Sequence, residues 1–79
     1  MKSLALLLIL GAAAGAQEQR SLAKEKFQEG SSEFAASNFT RALELFKEAY
    51  TLAPYPDLLY NIGRCEEQLG HFREALDAY

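Results

Sequence analysis

The sequence predicts an all-α fold of antiparallel helix-hairpin repeats, and three observations lead there. The first is an internal repeat. Gly30 recurs as Gly63, Phe39 as Phe72, Ala42 as Ala75 and Phe46 as Tyr79, each pair 33 positions apart. The run Asn38-Phe39-Thr40-Arg41-Ala42-Leu43-Glu44 returns as His71-Phe72-Arg73-Glu74-Ala75-Leu76-Asp77. The second is helical spacing of apolar residues inside each copy. The third is punctuation by Pro54, Pro56 and Gly70 where helices should stop. A fixed period of roughly 20–50 residues marks stacked supersecondary units, each unable to bury its apolar face alone.

Met1–Ala16 reads as a secretory signal peptide. Lys2 precedes an apolar run from Leu4 to Leu10, and Ala14-Gly15-Ala16 has the small-x-small form that precedes cleavage. The run is shorter than the roughly 20 apolar residues of a membrane span. The competing reading is an uncleaved anchor extending through Ala16. No cysteine follows the apolar run, which argues against a lipid anchor. Residues 17–22 form a polar segment, of which Gln17 to Arg20 are expected to fray.

From about Ser21 the spacing Ala23, Phe27, Gly30, Phe34 traces one face of a first helix ending near Ala36. Ser37-Asn38 is the turn, with Asn38 placed to cap the next helix. The second helix runs from about Phe39 to Ala53, with Phe39, Ala42, Leu43, Phe46, Ala49 and Tyr50 at helical spacing. Glu44 and Glu48 repel mildly at i,i+4, offset locally by Arg41 and Lys47. Pro54 and Pro56 end this helix, since proline lacks an N–H and restricts the residue before it. The third helix begins at Pro56-Asp57, a proline suited to a first turn and an acid that favours the helix dipole. Leu58, Leu59, Ile62, Cys65 or Glu66, and Leu69 define its apolar side. Gly70 stops it in a left-handed conformation. The fourth helix starts near Phe72, and the repeat predicts one or two further turns past Tyr79, so the chain is expected to be a piece of a longer repeat protein.

Glycine inside a helix costs roughly 0.8–1 kcal/mol against alanine. Gly30 and Gly63 are therefore expected at close helix crossings, leaving room for a partner backbone. Ala42, Ala75 and Ala49 match them on the second helix of each pair. Phe39, Phe46, Phe72 and Tyr79 are expected to fill the wider gaps.

These residues resemble the tetratricopeptide repeat (TPR) family. Gly30, Ser37, Phe39, Ala42, Phe46, Ala49 and Pro54 follow its pattern in the first copy. Leu59, Ile62, Gly63, Gly70, Phe72, Ala75 and Tyr79 follow it in the second. The resemblance implies a right-handed TPR-like α-solenoid of about 1.7 units, one over 23–55 and a truncated one over 56–79. Two departures stand out. Lys26 and Glu29 occupy places where the family's first helix carries large apolar residues, which marks the first unit as divergent or a cap. The join at Tyr55-Pro56 is one residue shorter than the usual period of about 34.

Chain length and chemistry narrow the function. Seventy-nine residues allow one small domain with a marginal core. The formal net charge is −3, and without Lys2 seven basic residues face eleven acidic, a net of −4. With no clustered basic face, nucleic acid is not an expected partner. A single cysteine permits no intrachain disulfide, and Cys65 with His71 alone makes no metal site. Cys65 reads as a buried contact residue and His71 as a turn residue aligned with Asn38. Glu66 and Glu67 are adjacent, point apart and read as solvated. No nucleophilic triad, phosphate loop or metal spacing is present, so no catalytic residue and no cofactor are expected.

What the resemblance implies instead is a protein–protein interaction module, exported to a periplasm or cell surface, with the membrane met only during export. Its partner would be a peptide or protein held in the concave groove of the first helices. The candidates are Phe27, Ser31 and Phe34 from the first unit, and Tyr60, Asn61, Arg64, Glu67 and Gln68 from the second. Asn61 resembles the asparagine with which some TPR proteins hold a peptide backbone or carboxylate. Its basic and asparagine partners fall on Phe27 and Ser31 here, so an apolar-plus-polar peptide suits the groove better than a carboxylate clamp. Phe27 and Phe34 packing inward is the equal alternative. Two other readings remain: a non-catalytic repeat segment of a larger exported enzyme or envelope-assembly protein, and a self-associating module whose open ends stack.

Overall fold

The structure, a computed structural model, describes the backbone of residues 2–79 and the side chains of residues 15–79. It is all-helical, with four helices: α1 (Lys2–Ala35), α2 (Phe39–Leu52), α3 (Pro56–Gln68) and α4 (Phe72–Ala78). Each helix packs on the next in sequence. The pairing is antiparallel: across α1 and α2, Phe34 meets Phe39 near the turn and Lys26 meets Glu48 farther from it. The signal-peptide reading of Met1–Ala16 lies outside the described side chains except at Gly15 and Ala16. Among the described residues, no helix is long and apolar enough to cross a membrane.

Residues 17–20, expected to fray, lie within α1. Gln, Glu and Arg are good helix formers, and neither proline nor glycine interrupts them. The far end of α2, at Leu52 to Pro54, lies opposite Ala16, Gln19 and Arg20, so tertiary support reaches the start of this segment.

The core joins Ala42, Phe46 and Ala49 of α2 to Leu58, Ile62 and Cys65 of α3, with Phe34, Leu43, Tyr50, Leu59 and Ala78 packed around it. Leu45 is also fully buried, on another side of α2, beside Glu25, Glu29 and Ser32 of α1. A single apolar stripe does not predict it. A helix with neighbours on two sides must bury two stripes, and only the tertiary arrangement shows that α2 is such a helix.

The 33-residue period is carried by geometry at three places. Ser37 and Gly70 are the two described residues with positive φ, at 62° and 78°. Asn38 and His71 each begin a helix without capping it through the side chain. Instead, each side chain turns back to a glutamate five residues earlier: Asn38 Nδ2 donates to Glu33 Oε2 at 2.8 Å, and His71 Nδ1 lies 2.7 Å from Glu66 Oε2. The same two residues donate backbone N–H groups to the Glu33 and Glu66 carbonyls, both at 2.8 Å. The expected Asn38 cap is thus replaced by a clasp across the turn.

The third correspondence corrects the glycine reading. What approaches each glycine is an aromatic ring, not a backbone. A Cβ on Gly30 would stand 2.8 and 2.9 Å from Cε1 and Cδ1 of Phe46, and one on Gly63 would meet the ring of Tyr79. Glycine and ring are themselves equivalent pairs, 30 with 46 and 63 with 79.

Two polar expectations change. Glu66 is not solvated: it is 4% exposed, held by His71 and by Lys47 Nζ at 3.7 Å. Lys47 therefore serves α3 across the core edge, while Glu48 is matched by Lys26 of α1 at 3.2 Å. Arg41 and Glu44 pair locally at 3.1 Å as expected. Phe72 fills no gap, because it is 68% exposed. Its counterpart Phe39 meets Phe34 edge-on at 5.1 Å between ring centroids, but the residue equivalent to Phe34 is Glu67.

Candidate functional site

The candidate groove residues do not share one environment. Phe34 turns inward: it packs against the core, meets Phe39, and carries the guanidinium of Arg64 at 4.6 Å from its centroid. Phe27 is partly exposed and meets Phe46 at 5.9 Å. It lines a small apolar cleft with Ala23 of α1 and with Tyr55 and Leu58 at the start of α3. Ser31 and Gln68 are exposed on their helices. Asn61 donates from Nδ2 to the carbonyl of Asp57 at 3.1 Å, so its amide is engaged within its own helix.

Tyr60, Arg64 and Glu67 come together. With Leu59, Ala78 and Tyr79 they line an open groove of about 640 Å³ between α3 and the end of α4. The rings of Tyr60 and Tyr79 lie 5.8 Å apart, and Arg64 is 5.9 Å from the centroid of Tyr60. Arg64 is thus placed by two aromatic faces, a favourable setting for a cation. No carboxylate among the described residues lies within ion-pair distance of it. The Tyr79 hydroxyl is pushed up to about 12, first by desolvation and then by the neighbouring Glu67 carboxylate.

The rim of this groove continues onto the outer face of α4. Phe72, Leu76 and Tyr79 repeat at i, i+4 and i+7, one helical stripe, and are 68%, 75% and 54% exposed. The sequence reading placed Phe72 and Tyr79 in packed gaps and gave Leu76 no separate role. Their prominence follows from Leu76 lying on α4 where Leu43 lies on α2, a relation already present in the repeat.

Cys65 is fully buried, as expected. Burial pushes its thiol up to about 11, with Glu66 adding to the rise and Arg64 opposing it. A protonated, enclosed thiol is a poor nucleophile. Among the described residues, no group of three or more metal-ligating side chains converges.

No family model matches the chain, and neither the curated proteins nor the solved structures compared with it give a match.

Proposed function

We propose that the chain is an exported helical-repeat module of the TPR type that recognises a partner protein through its α3–α4 surface, without catalysis. The observation that carries this reading is the concentration of uncovered large side chains there: Tyr60, Phe72, Leu76 and Tyr79, beside an arginine fixed by aromatic rings and with no acid partner among the described residues. Aromatic and arginine side chains are enriched among residues that dominate protein interfaces. The groove mixes apolar walls with one cation and one carboxylate, which fits an apolar-plus-polar polypeptide segment. The repeat reading is supported by the period seen in the left-handed turn residues, the glutamate clasps and the glycine–ring pairs. Export is supported by the composition of Met1–Ala16.

Site-specific photocrosslinking in cells expressing the chain tests the surface. A photoreactive residue at Tyr60 should trap a discrete partner, while one at Glu25 should not. Equal trapping at both sites, or none at either, would overturn the assignment. Ala16→Asp tests export, because it should leave the unprocessed mass in place of one starting at Gln17.

A further inference from the structure

The turn between α1 and α2 carries Asn38-Phe39-Thr40, an asparagine followed two residues later by a hydroxyl side chain. With a middle residue other than proline, this is the pattern that accepts an N-linked oligosaccharide on a surface loop of an exported protein. The other asparagine, Asn61, is followed by Ile62 and Gly63 and lacks it. The structure supplies the surface loop. Ser37, at φ 62°, reverses the chain, and Ala35, Ala36, Ser37, Asn38 and Thr40 are all exposed. Phe39 stands edge-on to Phe34 at 5.1 Å, so it anchors the segment while its two polar neighbours stay accessible.

The acceptor atom has a hydrogen to spare. An asparagine Nδ2 carries two N–H groups. Asn38 Nδ2 uses one to reach Glu33 Oε2 at 2.8 Å, and the other has no partner among the described residues. A sugar can therefore replace one hydrogen while a donor remains for Glu33.

The repeat shows that packing does not call for this pattern. The equivalents of Asn38 and Thr40 are His71 and Arg73, and His71 makes the matching contact to Glu66 at 2.7 Å. The Asn38 amide is accounted for by its clasp, but the Thr40 hydroxyl is exposed and bonds to no described residue. Threonine is also a weaker helix former than the arginine in its place on α4.

Resting on the export reading above, we propose that Asn38 is the acceptor of an N-linked oligosaccharide, with Thr40 as the hydroxyl its transfer requires. The donor class is a lipid-linked oligosaccharide diphosphate. Asn38 Nδ2 attacks the anomeric carbon, a C–N bond forms, and the C–O bond to the diphosphate breaks. The lipid diphosphate leaves with that electron pair, and one Nδ2 proton passes to a base of the transferring enzyme.

The test expresses the full chain, with its own leader, in cells whose secretory pathway attaches N-linked glycans. The secreted product is weighed before and after peptide N-glycosidase. It should start at Gln17 and carry one oligosaccharide, and enzymatic release should leave aspartate at position 38. Thr40→Ala should lose the added mass completely, and Thr40→Ser should keep it. Circular dichroism should be the same for all three, because Thr40 is exposed and makes no contact that a structural role would need. A processed chain with unmodified Asn38, or added mass that survives Thr40→Ala, would overturn the proposal. A chain that keeps Met1–Ala16 and stays inside the cell counts against the export reading instead. Residues 17–79 behind a leader already shown to be cleaved then decide the acceptor separately, and unmodified Asn38 in that product would overturn it.

Discussion

Gly30→Ala tests the contact that most constrains the first hairpin. The added Cβ would lie 2.8 and 2.9 Å from two atoms of the Phe46 ring, and Phe46 is completely enclosed between α1 and α3. Alanine gains about 0.8–1 kcal/mol of helix propensity over glycine. Overpacking a closed site costs about 1–3 kcal/mol. The expected net effect is a loss of about 1 kcal/mol. Gly63→Ala is the internal control, since the same propensity gain applies there. The opposing ring belongs to Tyr79, which is half-exposed and can turn aside, so the net change should be near zero or slightly favourable. A difference of about 1 kcal/mol separates melting temperatures by roughly 4–8 °C in a domain of this size. Urea denaturation of both variants, followed by circular dichroism, measures this difference. Phe46→Leu should recover part of the Gly30→Ala loss, a coupling expected only of side chains in contact. If Gly30→Ala and Gly63→Ala are equally tolerated, the ring is not what excludes a side chain, and the packing argument fails.

Ser37 holds φ 62°, where a non-glycine residue costs about 1–2 kcal/mol. Ser37→Gly, the residue found at the equivalent Gly70, should therefore stabilise the fold by about 1 kcal/mol, measurable as a raised urea midpoint at unchanged slope. Glu66→Ala removes the acceptor shared by His71 and Lys47 from a buried position and should cost about 1–3 kcal/mol in the same assay. His71→Asn should cost far less, because asparagine makes the matching bond at Asn38. The Cys65 thiol, raised from 9.0 to about 11, favours the protonated form in the folded state. Its contribution is complete below pH 9.0 and is lost as pH rises toward 11, since the unfolded chain ionises first. Cys65→Ala should flatten that alkaline decline in a pH series of urea midpoints, and an unchanged slope would exclude the thiol as its cause. Before denaturation, Cys65 should also resist alkylation at neutral pH.

Helix number, type and most boundaries were legible because they rest on local rules. Apolar residues at helical spacing, Pro56 at a first turn and Gly70 in a left-handed stop act within a few residues of themselves, so no partner is needed to read them. The 33-residue period also pointed to the equivalences later seen in three dimensions. Other features were not legible because they depend on what lies across a gap. Leu45 is buried only because α2 has neighbours on two sides, and Glu66 is buried only because α3 turns it toward Lys47 and His71. Phe34 and Phe72 are both aromatic, yet one is partly buried against the core and the other exposed, according to which residues face them.

The candidate site shows the same division. The sequence identified Tyr60, Arg64 and Glu67 as surface residues of one helix, and helical periodicity alone suffices for that. It grouped them with Phe27, Ser31 and Asn61, which the structure separates into an apolar cleft, an exposed helix face and an intrahelical hydrogen bond. That the groove instead runs over Tyr79 to Leu76 was decided by tertiary packing, for a physical reason: burial is a property of pairs of elements. The repeat dictates which face each helix offers, and only the arrangement of neighbours determines which of those faces is left uncovered.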